Sequence, residues 1–232
     1  MLVAALTGNY GMGKSSVAAM FAECGAQTLD SDLIVADLLQ NKAVIKRIRK
    51  LLGPQVLHAD RSLNKAIVSN IIFNDQAARK KIEALLHPLV FQAVESSIKK
   101  LKASNRVVIV EVPLLFEGGF QERFDRTITV YTNQKTSLMR LKKAGISRND
   151  ALARLRTQMD IREKKRLADY VIDNNGTKQQ AKAQIKIIYR ALMEDKEHLF
   201  AKDVEFASPS AATAKLSKSS KPYNKSREKA DV

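Results

Sequence analysis

Residues Gly8-Asn9-Tyr10-Gly11-Met12-Gly13-Lys14-Ser15 place glycines, a lysine and a hydroxyl at the spacing G-x-x-x-x-G-K-S. Glycines let a backbone turn so that successive N–H groups face inward, a concave donor array that fits phosphate oxygens. A helix opening near Lys14 adds its positive N-terminal end. In that setting Lys14 reaches the β- and γ-phosphates and Ser15 is the hydroxyl placed for Mg²⁺. The chemistry that follows is the binding of ATP or GTP.

A phosphate loop alone does not separate kinases, GTPases and motor ATPases. Asp30-Ser31-Asp32 follows the second apolar run, where an open α/β sheet places its ligands. Asp32 there can orient an attacking hydroxyl and accept its proton. Asp30 reads as a helix N-cap or a support. Glu111, inside Val-Ile-Val-Glu-Val, has two readings: a contact to a Mg²⁺-bound water, or a pair with a nearby cation. Glu117 lies behind it. The GTPase signature Asn-Lys-x-Asp does not occur.

The elements that must position these groups alternate. Leu2–Leu6 reads as a buried strand and Lys14–Cys24 as a helix. Ala26–Leu29 is a second strand, and residues 33–52 are helical up to Gly53-Pro54. Residues 63–104 are helix-rich, punctuated at His87-Pro88, because the residue before proline is biased away from helix. Val107–Val112 and Thr127–Thr132 are strands. Residues 134–144 and 148–167 are helices rich in Arg and Lys. Tyr170–Asp173 is a fifth strand and Lys178–Phe200 a closing helix. Such alternation predicts an α/β fold with a parallel sheet. From residue 201 the composition is that of a disordered basic tail.

The 232 residues carry 40 Lys+Arg against 24 Asp+Glu, a net charge of +16. After residue 200 there are seven cations and four anions, so residues 1–200 keep 33 against 20, and the excess belongs to the folded part. With 6% aromatics and no Trp, no stacking platform for single-stranded nucleic acid is evident, and no nucleic-acid partner is expected. The single Cys24 excludes a disulfide framework and a Cys-built zinc site. Three scattered histidines make no metal site. No apolar run approaches the roughly 20 residues of a membrane span. The start Met1–Leu6 is too short for a signal peptide. A cytoplasmic enzyme is the expectation, with the oligomeric state left open.

Six blocks occur in order: Gly8–Ser16, Leu29-Asp30-Ser31-Asp32, His87-Pro88-Leu89-Val90, Val112-Pro113-Leu114-Leu115-Phe116-Glu117, Arg154-Leu155-x-x-Gln158-Met159, and Ala168-Asp169-Tyr170-Val171-Ile172-Asp173-Asn174-Asn175-Gly176. Over residues 1 to about 199 the chain resembles the dephospho-CoA kinase family. The resemblance implies a P-loop NTPase core with a five-stranded parallel sheet. A helical acceptor-binding insert at about 60–104 and a helical lid at about 134–167 complete a kinase domain of residues 1–200, and 201–232 is the tail. It implies ATP and Mg²⁺ as cofactors, dephospho-CoA as the substrate and its ribose 3′-hydroxyl as the acceptor. By this match Asp32 is the base, working with Lys14 and Arg140. ATP is held by Gly8, Asn9, Tyr10, Gly11, Met12, Gly13, Lys14, Ser15, Ser16, Arg140, Asn175 and Gly176. Asp32, His87 and Arg154 face the acceptor. Ser15 holds Mg²⁺, with Asp32 or Glu111 through water. A rival reading is a phosphate-loop kinase for another small-molecule hydroxyl, and a rival of another class is a nucleic-acid-binding phosphate-loop protein, which the net charge of +16 suggests. One departure is Asn9, where the family carries a glycine.

Overall fold

The structure is a computed structural model that describes residues 1–101 and 107–207, the side chains of 196–207 aside. Residues Met1–Leu192 form one compact unit and Met193–Val232 a second, of which only the backbone and first side chains of a helix are described.

Five strands form one sheet: β1 (Leu2–Thr7), β2 (Gln27–Asp30), β3 (Val107–Glu111), β4 (Arg126–Tyr131) and β5 (Tyr170–Asp173). Their order is β2-β3-β1-β4-β5, and every pairing is parallel. Parallel sheets are covered on both faces, so their strands read as continuous apolar runs. Leu2, Ala4, Ala5 and Leu6, with Val107 through Val110, accordingly have no exposed surface.

Register decides where the chemistry sits. Leu6 and Asp30 both pair with Glu111, on the two sides of β3. The ends of β1, β2 and β3 therefore share one edge of the sheet. Chain order reverses beside β1, which makes this edge the place where such sheets bind ligands.

Helices α1 (Lys14–Glu23), α2 (Ser31–Leu38), α3 (Lys42–Leu52), α4 (Lys65–Asn74), α5 (Gln76–Lys100), α6 (Gln134–Lys143), α7 (Arg148–Arg156), α8 (Ile161–Leu167) and α9 (Lys178–Ala207) complete the architecture. Two helices expected from the pattern are each split. Residues 33–52 break at Asn41, whose side chain caps α3 by accepting from the Ala43 N–H. Residues 148–167 break at 157–160, where Asp160 caps α8. The reverse holds at His87-Pro88: α5 runs through it. Ile82 and Leu85 before the proline bury in a cluster with Val44, Ile48 and Val68, while Val94 beyond it buries against Val108, Val110 and Leu115. Packing on both sides outweighs the lost hydrogen bond, which costs about 3 kcal/mol in an unsupported helix. Helix α9 continues to Ala207, past the expected end at Phe200. The tail beyond it lies outside the described residues.

Candidate active site

The phosphate loop is built by three left-handed or otherwise non-standard glycines. A Cβ on Gly8 would stand 2.5 Å from the Val130 carbonyl oxygen, and one on Gly13, at φ +89°, 2.5 Å from Asn174 Nδ2. Asn9 tolerates its departure from glycine because it is not at positive φ, a conformation that Arg61 alone adopts among the described non-glycine residues. Its side chain is used instead: Asn9 Nδ2 donates to the Met159 carbonyl at 3.0 Å. The Tyr10 N–H donates to Gln158 Oε1 at 2.8 Å. The loop is thus tied to the strap between α7 and α8.

Helix α1 starts at Gly13 with no side-chain cap and no acidic residue in its first turn. Helices α2 through α8 all begin with a capping side chain: Asp30, Asn41, Asn64, Asp75, Asn133, Ser147 and Asp160. Only α1 of these eight leaves its first N–H groups to a ligand, and an anion is the ligand that suits them. Lys14 Nζ donates to the Gly8 carbonyl at 2.9 Å, folded back over the loop. Burial and the nearby Lys164 ammonium hold Lys14 below the ordinary lysine value. Ser16 is exposed in the first turn.

Ser15 Oγ donates to Glu111 Oε2 at 3.1 Å. Burial pushes Glu111 above the ordinary carboxylate value, while the bond from Ser15 opposes the shift. Asp30 accepts from the Asp32 N–H at 2.8 Å and so is the N-cap of α2. That cap aims Asp32 into a cleft of about 450 Å³ that Lys14 also lines. Asp32 lies open to that cleft, yet its walls remove enough water to raise the carboxyl; Asp30 raises it further and Lys14 opposes.

One stretch of the cleft wall is apolar, with Val90, Phe91, Val94, Phe120 and Phe124. His87 enters it from inside α5 rather than from a helix end, edge-on to Phe120 at 4.8 Å between ring centroids. Burial lowers its pKa, so the imidazole is neutral near pH 7. Arg154 stacks over Tyr10 at 4.9 Å and donates to its hydroxyl at 3.2 Å on the same rim. Arg140 spans the loop and the segment after β5: it donates to the carbonyls of Met12 at 3.4 Å and Asn174 at 2.8 Å. Two of its five N–H donors are thereby assigned, and the guanidinium stays beside Gly13.

Asn175 spends its side-chain oxygen inside the protein, accepting from Thr132 Oγ1, the Asn133 N–H and Asn133 Nδ2 at 2.7–2.9 Å. Gly176 follows in the turn before α9. The residue that reaches the phosphate loop is Asn174, buried, with Nδ2 donating to the Met12 carbonyl at 2.9 Å. Two asparagines in a row gave no signal for which one turns inward. Arg162, in the first turn of α8, is exposed and pairs with Asp160 at 2.8 Å.

Among the described residues no group of three or more His, Cys, Asp or Glu side chains stands ready to hold a metal. The site offers one hydroxyl, Ser15, with Glu111 bonded to it and the Asp32 charge coupled to the same region. That set suits Mg²⁺, which keeps waters and takes its remaining ligands from substrate phosphates.

A phosphate loop opening an uncapped helix, a carboxylate and the loop lysine lining one cleft, Arg154 on that cleft and Arg140 beside the loop define a P-loop phosphotransferase. The comparisons with known proteins carry this to a family. The dephospho-CoA kinase family model matches residues 2–180. The dephospho-CoA kinase of Symbiobacterium thermophilum is 36% identical over 194 residues, 82% of this chain and 81% of the relative. That of Aquifex aeolicus is 34% identical, over 82% of this chain and 97% of the relative. A solved structure from Thermus thermophilus superposes with a TM-score of 0.73 at 30% identity, covering 82% of this chain and 96% of that one. The dephospho-CoA kinase from Campylobacter jejuni gives 0.62 at 26% identity, covering 83% and 98%. The chain belongs to the dephospho-CoA kinase family, whose members phosphorylate dephospho-CoA with ATP in the final step of CoA biosynthesis. Among the described residues no helix is long and apolar enough to cross a membrane.

Proposed function

We propose that this chain transfers the γ-phosphoryl group of ATP to the ribose 3′-hydroxyl of dephospho-CoA, with Asp32 as the base. The observation that carries this assignment is that Asp32 and Lys14 line the same cleft and their charges are coupled. The ATP phosphates lie in Gly8–Ser16, on the free N–H groups of α1. The acceptor occupies the apolar cleft. Its nucleoside packs against Phe91 and Phe120, and neutral His87 acts as a hydrogen-bonding neighbour. Asp32 takes the hydroxyl proton as that oxygen attacks the γ-phosphorus. The bond from γ-phosphorus to the β-phosphate oxygen breaks, and ADP leaves with the electron pair. Lys14, Arg140 and Arg154 compensate the charge that develops on the transferring group. Mg²⁺ bound with the nucleotide would be held by Ser15, with Asp32 or Glu111 through water, and supplies further charge neutralisation.

A base pKa raised toward the working pH suits this role, since proton transfer is then better matched. The helical acceptor unit extends back from about 60 to include α3, because Val44 and Ile48 of α3 share one core with Val68 of α4 and Ile82 and Leu85 of α5. The lid comprises residues 134–167, and its closure over the nucleotide keeps water from the phosphoryl group.

Coupled ADP release with dephospho-CoA, AMP, CMP and shikimate as acceptors tests the assignment. Turnover dependent on dephospho-CoA alone is the expected result; preference for another acceptor overturns it. Asp32→Ala is expected to lower kcat by roughly 10²–10⁴-fold, the usual contribution of a general base. A near-full rate in that variant removes Asp32 from the mechanism and leaves the substrate assignment standing.

A further inference from the structure

Lys164 is among the largest side chains with no exposed surface, although it carries a charge. Burying an ammonium is costly unless it is paired and hydrogen-bonded. Its Nζ pairs with Glu117 Oε1 at 2.8 Å and donates to the Pro113 carbonyl at 3.1 Å. Each partner has a second attachment. The Pro113 carbonyl also accepts from Thr7 Oγ1 at 3.2 Å, one residue before the phosphate loop. Glu117 Oε1 also accepts from the Met159 N–H at 2.9 Å. Met159 in turn accepts from Asn9, and its neighbour Gln158 from Tyr10.

Three segments therefore meet at one buried ion pair. They are the phosphate loop with its leading strand, the turn 113–117, and the strap 158–159 at the base of the lid. Pro113 and Leu114 line the acceptor cleft, and so does Gln158. We infer that Lys164 and Glu117 are a positioning pair that holds the phosphate loop and the acceptor wall in one register, so that donor phosphate and acceptor hydroxyl meet in line. Neither side chain touches substrate. Their positioning effect passes through Pro113, Met159 and Asn9, and the Lys164 charge also bears on Lys14 from a distance. The inference rests on the kinase reading, and wild-type turnover with dephospho-CoA tests that reading separately.

The readout is the ratio of ADP released with acceptor to ADP released without it. Loss of register lowers acceptor-dependent transfer while water, which needs no orientation, still reacts. Lys164→Met and Glu117→Leu each leave one buried charge unpaired and are expected to lower thermal stability. Lys164→Met/Glu117→Leu removes both charges and is expected to recover most of that stability. All three are expected to lose roughly 10–100-fold in acceptor-dependent kcat, the scale of an approximately 1 Å misplacement, with the ratio falling in parallel. Circular-dichroism melts and steady-state kinetics on the same preparations give both quantities. The double variant decides where the single ones do not fold. If it regains stability and keeps a wild-type ratio, the pair is structural only and the inference is wrong. If it regains stability and the ratio stays low, the positioning role stands.

Discussion

Gly13→Ala isolates what the phosphate loop owes to its backbone shape. Gly13 sits at φ +89°, where a side chain costs about 1–2 kcal/mol. The added Cβ would stand 2.5 Å from Asn174 Nδ2, the atom that donates to the Met12 carbonyl. Displacing that amide forfeits a hydrogen bond worth about 0.5–1.5 kcal/mol. The two effects sum to about 1.5–3.5 kcal/mol, or roughly 10- to 300-fold in nucleotide affinity if the loop relaxes away from its binding shape.

Titration calorimetry with a non-hydrolysable ATP analogue and Mg²⁺ measures this directly. Gly25→Ala is the control. It has φ +104° at the far end of α1, with only the Tyr189 hydroxyl at 3.2 Å. It is expected to lower the melting temperature while leaving affinity within about twofold, as a strain confined to one turn should. In an Asn174→Ala background the contact is gone, and the further penalty of Gly13→Ala should shrink to the strain alone. Wild-type affinity in Gly13→Ala would refute the cradle. An undiminished penalty in the Asn174→Ala background would refute the contact as its cause.

Three other perturbations follow from the charges around Ser15 and Asp32. Asp30→Asn keeps an N-cap side chain on α2 but removes a neighbour that raises Asp32. The base should then lose its proton at lower pH, so the acidic limb of kcat/KM for the acceptor shifts downward; an unchanged or upward-shifted limb contradicts the coupling. In the folded state Asp32 holds its proton to higher pH than in the unfolded chain. Its contribution to stability is therefore lost as pH rises through the raised pKa, and Asp32→Asn should melt at higher temperature near pH 7 while losing turnover. Glu111→Gln still accepts from Ser15 but lacks charge. It should raise the Mg²⁺ concentration needed for half-maximal rate and leave kcat at saturating Mg²⁺ within about threefold, because Mg²⁺ takes most of its other ligands from water and phosphate. Equal Mg²⁺ dependence in both proteins removes Glu111 from the metal's surroundings.

The sheet and phosphate loop were legible because their signals are local. Val107–Val110 is buried on both faces and reads as such, and the glycines of the loop sit where steric limits require them. The cap of α2 was legible too, since Asp favours that position for a reason contained in a few residues. The misses depend on distant partners. Nothing near Leu39-Gln40 marks the end of α2; the break is made by Asn41 capping the next helix. Pro88 is a strong local signal that two separate cores override. Lys164 lies in Arg-Glu-Lys-Lys-Arg, which reads as a solvated face. Which of its cations turns inward is set by Glu117 and Pro113, about fifty residues earlier.

The same unfavourable features recur wherever the substrates are proposed to bind. Helix α1 forgoes the cap that α2 to α8 possess. Asp32 and Glu111 are held partly away from water, and Lys14 is pushed below its ordinary value. Each is a cost to the unliganded fold that a bound polyanion and its cation would offset: phosphate oxygens take the free N–H groups and pair with Lys14, and the cation pairs with the carboxylates. The positive excess of residues 1–200 has the matching long-range effect, because a field of one sign raises the local concentration of anionic substrates. A second concavity of about 700 Å³, lined by Lys42, Lys46, Arg49, Arg61 and Lys65, carries part of that excess on the helical unit itself. Most of the positive excess, 33 cations against 20 anions, therefore lies within residues 1–200, where two polyanionic nucleotides are proposed to bind. The apolar sheet beneath the site provides the stability against which these costs are set.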